Sequence, residues 1–89
     1  MADLTNAKLD GAYLFQVSNF SHARFDGANL TGAHLYFSEF EGASFRNADL
    51  SNARLDGIFA KANFTGARMW ATTFAKGRRF GKQISAKQE

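Results

Sequence analysis

The feature that most constrains this chain is a period of five residues. Residues 48–57 read ADLSNARLDG, and Ala recurs at five-residue steps with Leu, Phe or Met two positions later. Residues five apart lie about 140° apart around an α-helix and on opposite faces of a flat strand, so neither element buries this pattern. A chain that turns a corner every five residues does bury it, because each short side then points one small and one large residue inward.

The large residues show how many sides complete one coil. When each is compared with the residue four units later, eight of eleven pairs are identical, against five of twelve at three units and five of ten at five units. Four sides therefore make one square coil. After Leu4, the predicted core comprises Leu9, Leu14, Phe20, Phe25, Leu30, Leu35, Phe40, Phe45, Leu50, Leu55, Phe59, Phe64, Met69 and Phe74.

Gly or Asn recurs at the predicted corners, where both residues tolerate the positive φ that tight turns demand. These corner residues are Asn6, Gly11, Gly27, Gly32, Gly42, Asn47, Asn52 and Gly66.

The units 2–6 (ADLTN), 28–32 (ANLTG), 48–52 (ADLSN) and 62–66 (ANFTG) resemble the Ala-(Asp/Asn)-Leu-x-x pattern of the pentapeptide-repeat proteins. The resemblance implies an all-β fold, a right-handed quadrilateral β-helix (a β-solenoid), with about four coils of four five-residue sides. We assign residues 2–76 to this β-helix and residues 77–89 to a short basic C-terminal cap or flexible tail.

Two breaks in the period fall at the same predicted corner. One residue is added near positions 15–17, and one is lost near positions 56–57. Large side chains occupy outward positions there, and clustered exposed aromatic residues often mark an interaction site. We call this set the aromatic corner and predict that it binds a protein. An alternative is that these rings fold over their own coil and fill the wider corner. The aromatic corner consists of Tyr13, Phe15, His34, Tyr36 and Phe37.

The basic excess lies in the tail. Residues 1–75 carry six Lys or Arg and seven Asp or Glu, which gives −1, whereas residues 76–89 carry five and one, which gives +4. Phe80 and Ile84 are spaced to share one face of a short capping helix. Alternatively the tail is solvated, or its cations contact phosphates or acidic partners. The candidate contacts are Arg78, Arg79, Lys82 and Lys87.

The first coil, with Leu4, Leu9 and Leu14, has no recognisable cap in the sequence. An uncovered strand edge invites pairing with another chain. We therefore expect either a homodimer through this exposed coil end, or that the chain is a piece of a longer protein.

The sequence contains no arrangement typical of catalysis, a cofactor or a metal site. His22 and His34 belong to no known motif, and a phosphate-binding Gly-rich loop and a zinc motif are absent. The lack of Cys fits a reducing compartment, so we predict a cytoplasmic location. No apolar run is long enough to span a membrane. Because only Phe80 offers a stacking surface beside the basic residues, the sequence argues against nucleic-acid binding.

These observations predict a non-enzymatic structural or interaction module that presents a rigid β-helical surface to a protein partner of unknown identity. The resemblance implies an alternative, because some pentapeptide-repeat proteins mimic DNA and bind DNA gyrase as dimers. The near-neutral body and the short chain count against this alternative, since DNA presents one phosphate charge per ~1.7 Å of axis.

Overall fold

The structure, a computed structural model, describes residues 2–15 and 20–74, apart from the side chains of Phe15, Phe37 and Ser38. Four strands form one parallel sheet in the order β1 (Tyr13–Phe15), β2 (His34–Glu39), β3 (Arg54–Ile58) and β4 (Thr73–Phe74). No helix is present in these residues. The predicted tail, with its domain boundary at residues 76 and 77 and its cations Arg78, Arg79 and Lys82, lies outside the described residues.

Residues 19–21 positions apart in the chain lie side by side in adjacent coils. Along the sheet Tyr13 pairs with His34, His34 with Arg54, and Arg54 with Thr73. Two further sides are held by isolated parallel bridges, from Asp3 through Arg24 and Ser44 to Asn63, and from Lys8 through Asn29 and Asp49 to Arg68. Each coil therefore satisfies the backbone groups of its neighbours, as a β-helix requires.

The polar residues of the repeat form the turns. The Oδ1 atom of Asp3 accepts hydrogen bonds from the backbone N–H and the hydroxyl of Thr5, at 3.1 and 2.6 Å. Asn63 and Thr65 repeat this geometry three coils later, at 2.9 and 2.6 Å. Asp and Asn favour such turns because a short side chain reaches the backbone two residues ahead. This explains why Asp or Asn precedes the large residue and Ser or Thr follows it.

The predicted corner residues all have positive φ, so that prediction is confirmed. In one corner column Asn6 and Asn47 alternate with Gly27 and Gly66. The Oδ1 atom of each Asn lies too close to the place of a Cβ on the next glycine, so a larger residue there would have to displace the Asn side chain in addition to adopting a positive φ. Gly32 has a similar φ of +68°, but no atom lies within 4 Å of the place that a Cβ on this residue would occupy.

The interior is filled by stacked columns of large side chains. Phe45 lies between Phe25 and Phe64, with ring centroids 4.9 and 5.0 Å away and nearly parallel planes. Phe40 stacks on Phe59 in the neighbouring column at 4.9 Å. These distances match the spacing of adjacent strands, about 4.8 Å, so each ring packs on its equivalent one coil away.

Burial differs between the first coil and the coils that follow it. The inward-facing large residues from Phe25 to Met69 are at most 1% exposed. The residues that are only partly buried against this core are Ala2, Leu4, Leu9, Leu14, Phe20 and Phe74.

Candidate functional site

The outward face of the parallel sheet holds the described part of the aromatic corner. Tyr13 on β1 and His34 on β2 are in register, so their side chains project side by side. Their rings are stacked, with centroids 4.1 Å apart and planes 8° apart. Tyr13 remains 69% exposed, the highest value among the exposed large hydrophobic residues of the described chain.

His34 also contacts Tyr36, two residues later on the same strand and therefore on the same face. The Nδ1 atom of His34 lies 2.9 Å from the Tyr36 hydroxyl, and the two rings meet edge to face with centroids 5.5 Å apart. His34 and Tyr36 are partly buried. The imidazole thus joins both tyrosines into one rigid group, which loses little conformational entropy when a partner binds.

For the other two predicted residues, Phe15 and Phe37, the structure describes the backbone alone. Phe15 pairs with Tyr36 across β1 and β2, so its backbone lies at the site. The side chains of Phe15 and Phe37 are outside the described residues.

The corner irregularity lies where the sequence indicates it. Tyr36 pairs with Asp56, but the next pair joins Ser38 to Gly57, so the register shifts between them. Such a bulge bends the strand and redirects the side chains beside it. The corner is therefore wider on β2 than on β3.

Beside Tyr36 an open surface cleft of about 130 Å³ continues the site toward β4. Sequence reasoning missed its polar lining, although Arg54 and Thr73 continue the column of Tyr13 and His34, and Asp56 pairs with Tyr36. The period of about 20 residues was sufficient to place these residues beside the aromatic corner. The prediction did not include them because their side chains are not aromatic. The cleft is lined by Tyr36, Arg54, Leu55, Asp56 and Thr73.

The described residues offer no cluster of three or more His, Cys, Asp or Glu that could hold a metal ion. Residues 2–15 and 20–74 also include no helix long and apolar enough to cross a membrane. What the site presents is therefore a set of fixed aromatic rings with charged neighbours. Two other large hydrophobic residues, Ile58 at the end of β3 and Trp70, are 46% and 56% exposed.

Comparisons with known proteins agree with this architecture. A family model described as pentapeptide repeats matches residues 18–57 with eight copies. No curated protein matches the chain.

Three solved structures of pentapeptide repeat proteins are similar to the chain. One, from the Arabidopsis thaliana thylakoid lumen, is 28% identical over 90% of this chain and 59% of its own, with a TM-score of 0.71. One from Nostoc Pcc 7120 is 25% identical over 98% and 84%, with a TM-score of 0.63. One from the cyanobacterium Cyanothece 51142 is 26% identical over 85% and 52%, with a TM-score of 0.57. The chain spans little more than half the length of the Arabidopsis and Cyanothece proteins.

These relatives imply a right-handed β-helix, in agreement with the parallel, strand-rich and helix-free architecture of the described residues. The predicted cytoplasmic location finds no support here, since one relative is a thylakoid lumen protein. Proteins of this family are generally structural or interaction modules and not enzymes. The predicted resemblance is confirmed, since eight pentapeptide repeats match residues 18–57 and the similar solved structures are pentapeptide repeat proteins.

Proposed function

We propose that this protein is a non-enzymatic interaction module whose aromatic corner binds a protein partner. The observation that carries the proposal is the exposed Tyr13 ring, held face to face on His34 at 4.1 Å. Tyr is enriched at the centres of protein interfaces because it supplies a large, rigid contact area at low entropic cost.

The β-helix suits this role because it is rigid. We further propose that this β-helix is quadrilateral and has about four coils. Leu35 and Leu55 on the inner face of β2 and β3 are buried in a core that contains stacked Phe columns, and this packing makes the sheet face rigid. A rigid site binds with less ordering cost than a flexible loop, so a small surface suffices.

The charges of the site favour a partner of mixed polarity. Arg54 and Asp56 lie on the same outward face of β3 and line the cleft beside Tyr36. A surface with both signs of charge recognises polar side chains around an apolar anchor, as the rim of a protein interface does.

The experiment that tests the proposal is photo-crosslinking in cells, with the protein carrying a photoreactive residue in place of Thr73 at the edge of the cleft. We expect the captured partner to be lost with Tyr36→Ser or Phe37→Ser and retained with Trp70→Ser, since Trp70 is exposed outside the corner. Equal capture by all three variants contradicts the proposal. A gyrase supercoiling assay on the same protein tests the DNA-mimic alternative, which predicts inhibition.

We propose self-association through the N-terminal coil as a second interaction. It is supported by the partial burial of Leu4, Leu9 and Leu14, whose equivalents in the next coil are fully buried. Sedimentation over a wide concentration range tests it, and a monomer at every concentration contradicts it.

A further inference from the structure

We propose that the cleft over β3 binds an acidic side chain of the partner protein, with Arg54 holding its carboxylate. This inference rests on the proposed protein-binding function and names the chemistry that the site recognises. Guanidinium and carboxylate groups form paired, charge-assisted hydrogen bonds, which give both affinity and a defined orientation. The cleft is lined by Tyr36, Arg54, Leu55, Asp56 and Thr73.

The cleft lies over an interior strand of the sheet. β3 pairs with β2 on one side and with β4 on the other. Arg54 itself is in register with His34 and with Thr73, so both of its cross-strand neighbours belong to this chain. The lining of the cleft therefore does not depend on which residues would precede the first coil.

The sizes of the outward side chains explain why a cleft forms here. Tyr36 on β2 supplies a tall wall, and its hydroxyl lies 2.9 Å from the Nδ1 atom of His34, which fixes the ring. Thr73 on β4 is much smaller. Leu55 is 1% exposed and points into the core, so it leaves the floor between the walls without an outward side chain. The aliphatic stem of an acidic side chain can pack against the Tyr36 ring while its carboxylate reaches Arg54.

The accessible charge of the cleft is positive. Arg54 is exposed, whereas Asp56 is only partly exposed and its Oδ1 atom is shielded from solvent. Arg54 makes no salt bridge with any residue of the ranges 2–15 and 20–74. Its guanidinium is therefore available to a partner, and its planar fork of N–H donors matches a carboxylate.

The size of the cleft favours a side chain of a larger partner over a free small molecule. Its volume is about 130 Å³. Pockets that hold drug-sized ligands measure about 300–1,000 Å³ and enclose most of the ligand. An open cleft of this size instead receives one side chain, while the surface around it contacts the rest of the partner.

The carboxylates of this chain favour a separate protein over a second copy as the source. The Oδ1 atoms of Asp3, Asp26 and Asp49 each accept a hydrogen bond from a Ser or Thr of the same chain. To enter the cleft of a second copy, each would have to give up that hydrogen bond, which is costly unless it is replaced. A second copy is kept as one outcome of the test.

A matched pair of peptides tests the chemistry. The full chain, labelled with ¹⁵N, is titrated with acetyl-Ser-Ala-Leu-Glu-Leu-Ala-Ser-amide and followed by NMR. We expect the side-chain Nε–H signal of Arg54 and the backbone signals of Tyr36 and Thr73 to shift. The same peptide with Gln in place of Glu should bind about tenfold more weakly or less, because a hydrogen bond to a charged group is replaced by a neutral one. Added NaCl should weaken binding of the Glu peptide only.

Variants of the protein test the role of each charge. We expect Arg54→Gln to weaken binding of the Glu peptide about tenfold, and Arg54→Lys to give an intermediate loss, because Lys keeps the charge but not the planar fork. Arg68→Gln is the matched control, since Arg68 is also exposed and also precedes a buried large residue, but on another side of the coil. It should change binding by about twofold or less. Asp56→Asn should bind the Glu peptide at least as tightly, and urea unfolding of each variant shows whether the fold is intact.

Four outcomes overturn the inference. These are the absence of binding by the Glu peptide, equal binding of the Glu and Gln peptides, equal losses in Arg54→Gln and Arg68→Gln, and tighter binding of the same peptide with Lys in place of Glu. The last result, if it is lost in Asp56→Asn, would show that the cleft takes a cation. Sedimentation that shows a dimer dissociated by Arg54→Gln would also overturn it, because the carboxylate would then come from a second copy.

Failure of this inference is distinguishable from failure of the proposed function. If crosslinking in cells is lost with Tyr36→Ser but unchanged with Arg54→Gln, the aromatic corner still binds a partner and only the acidic side chain is wrong. If crosslinking is equal in the original protein and in both variants, the proposed function fails as well.

Discussion

The first coil and the coils above it are built from the same repeat but differ in burial. Leu9 is partly buried, whereas Leu30 and Leu50 in the same column are inaccessible to solvent. A coil therefore does not bury its own core residues completely, and the residues packed above and below it complete the burial. This is the nearest-neighbour behaviour expected of a solenoid, in which stability is a sum of unit and interface terms.

The largest expected effect lies in the interior column. We predict that Leu50→Ala lowers the free energy of unfolding by about 2–5 kcal/mol, since it leaves a cavity between Leu30 and Met69. Leu9→Ala in the first coil should cost less than about half as much, because part of that side chain is already in contact with solvent. Urea denaturation followed by circular dichroism measures both. Equal losses would show that the first coil is covered as well as the interior.

The corner glycines give the second test. We predict that Gly66→Ala lowers the free energy of unfolding by about 2–4 kcal/mol. The new Cβ would clash with Asn47, and Ala would also be strained by the positive φ at this position. Gly32→Ala, with the same kind of φ and open space, should cost only about 1–2 kcal/mol. A Cβ added by Gly27→Ala meets Asn6 of the first coil in the same way. The loss of stability should lie between those of the other two variants if the first coil can shift.

Removal of the opposing side chain supplies the control. Asn47→Gly in the Gly66→Ala background should recover about 1–2 kcal/mol in a double-mutant cycle of urea denaturation curves. A coupling energy of zero would show that φ alone requires glycine at this corner.

A smaller effect is expected from the side-chain turns. Asn63→Ala removes the acceptor for two hydrogen bonds from Thr65 and should cost about 1 kcal/mol. Asn63→Asp keeps the Oδ1 acceptor and should cost less. Thermal unfolding of the two variants checks the difference, and equal melting temperatures would contradict the role of this turn.

The smallest effect concerns pH at the edge of the first coil. The hydroxyl and backbone N–H of Thr5, with a further contribution from the charge of Arg24, lower the pKa of Asp3 below its ordinary value of 3.8. A lowered folded-state pKa stabilises the fold above the unfolded-state pKa, and this stability is lost as the pH falls through the folded-state value. Stability measured below pH 3.8 should therefore fall less for Asp3→Asn than for the original chain. The same dependence of stability on pH in both proteins would contradict this assignment.

The aromatic corner shows how far sequence reasoning reaches for the site. The outward positions and the bulged corner follow from the broken period, so Tyr13, His34 and Tyr36 could be placed on one face. The stacking of Tyr13 on His34 could not be derived, because side-chain conformation depends on the twist between adjacent coils. The cleft was missed for a related reason, since Arg54 and Thr73 have no aromatic signature and become neighbours of Tyr36 only through the winding.

The corner glycines also show which properties the sequence predicts and which depend on contacts between coils. Sequence identifies them as turn residues, since Gly and Asn tolerate positive φ. That Gly27 also makes room for the Asn6 side chain one coil away depends on a contact between residues 21 positions apart in the chain.

The sequence by itself determined the β-helical winding, the columns of the core and the Gly and Asn residues that turn eight of the corners, although His22, Lys61 and Ala71 also have positive φ. It could do so because each five-residue unit has one small and one large inward position, and the pattern repeats many times. Only the tertiary structure decided which outward side chains touch and how completely each coil is covered. Those properties depend on the distance and twist between successive coils, which no single repeat contains.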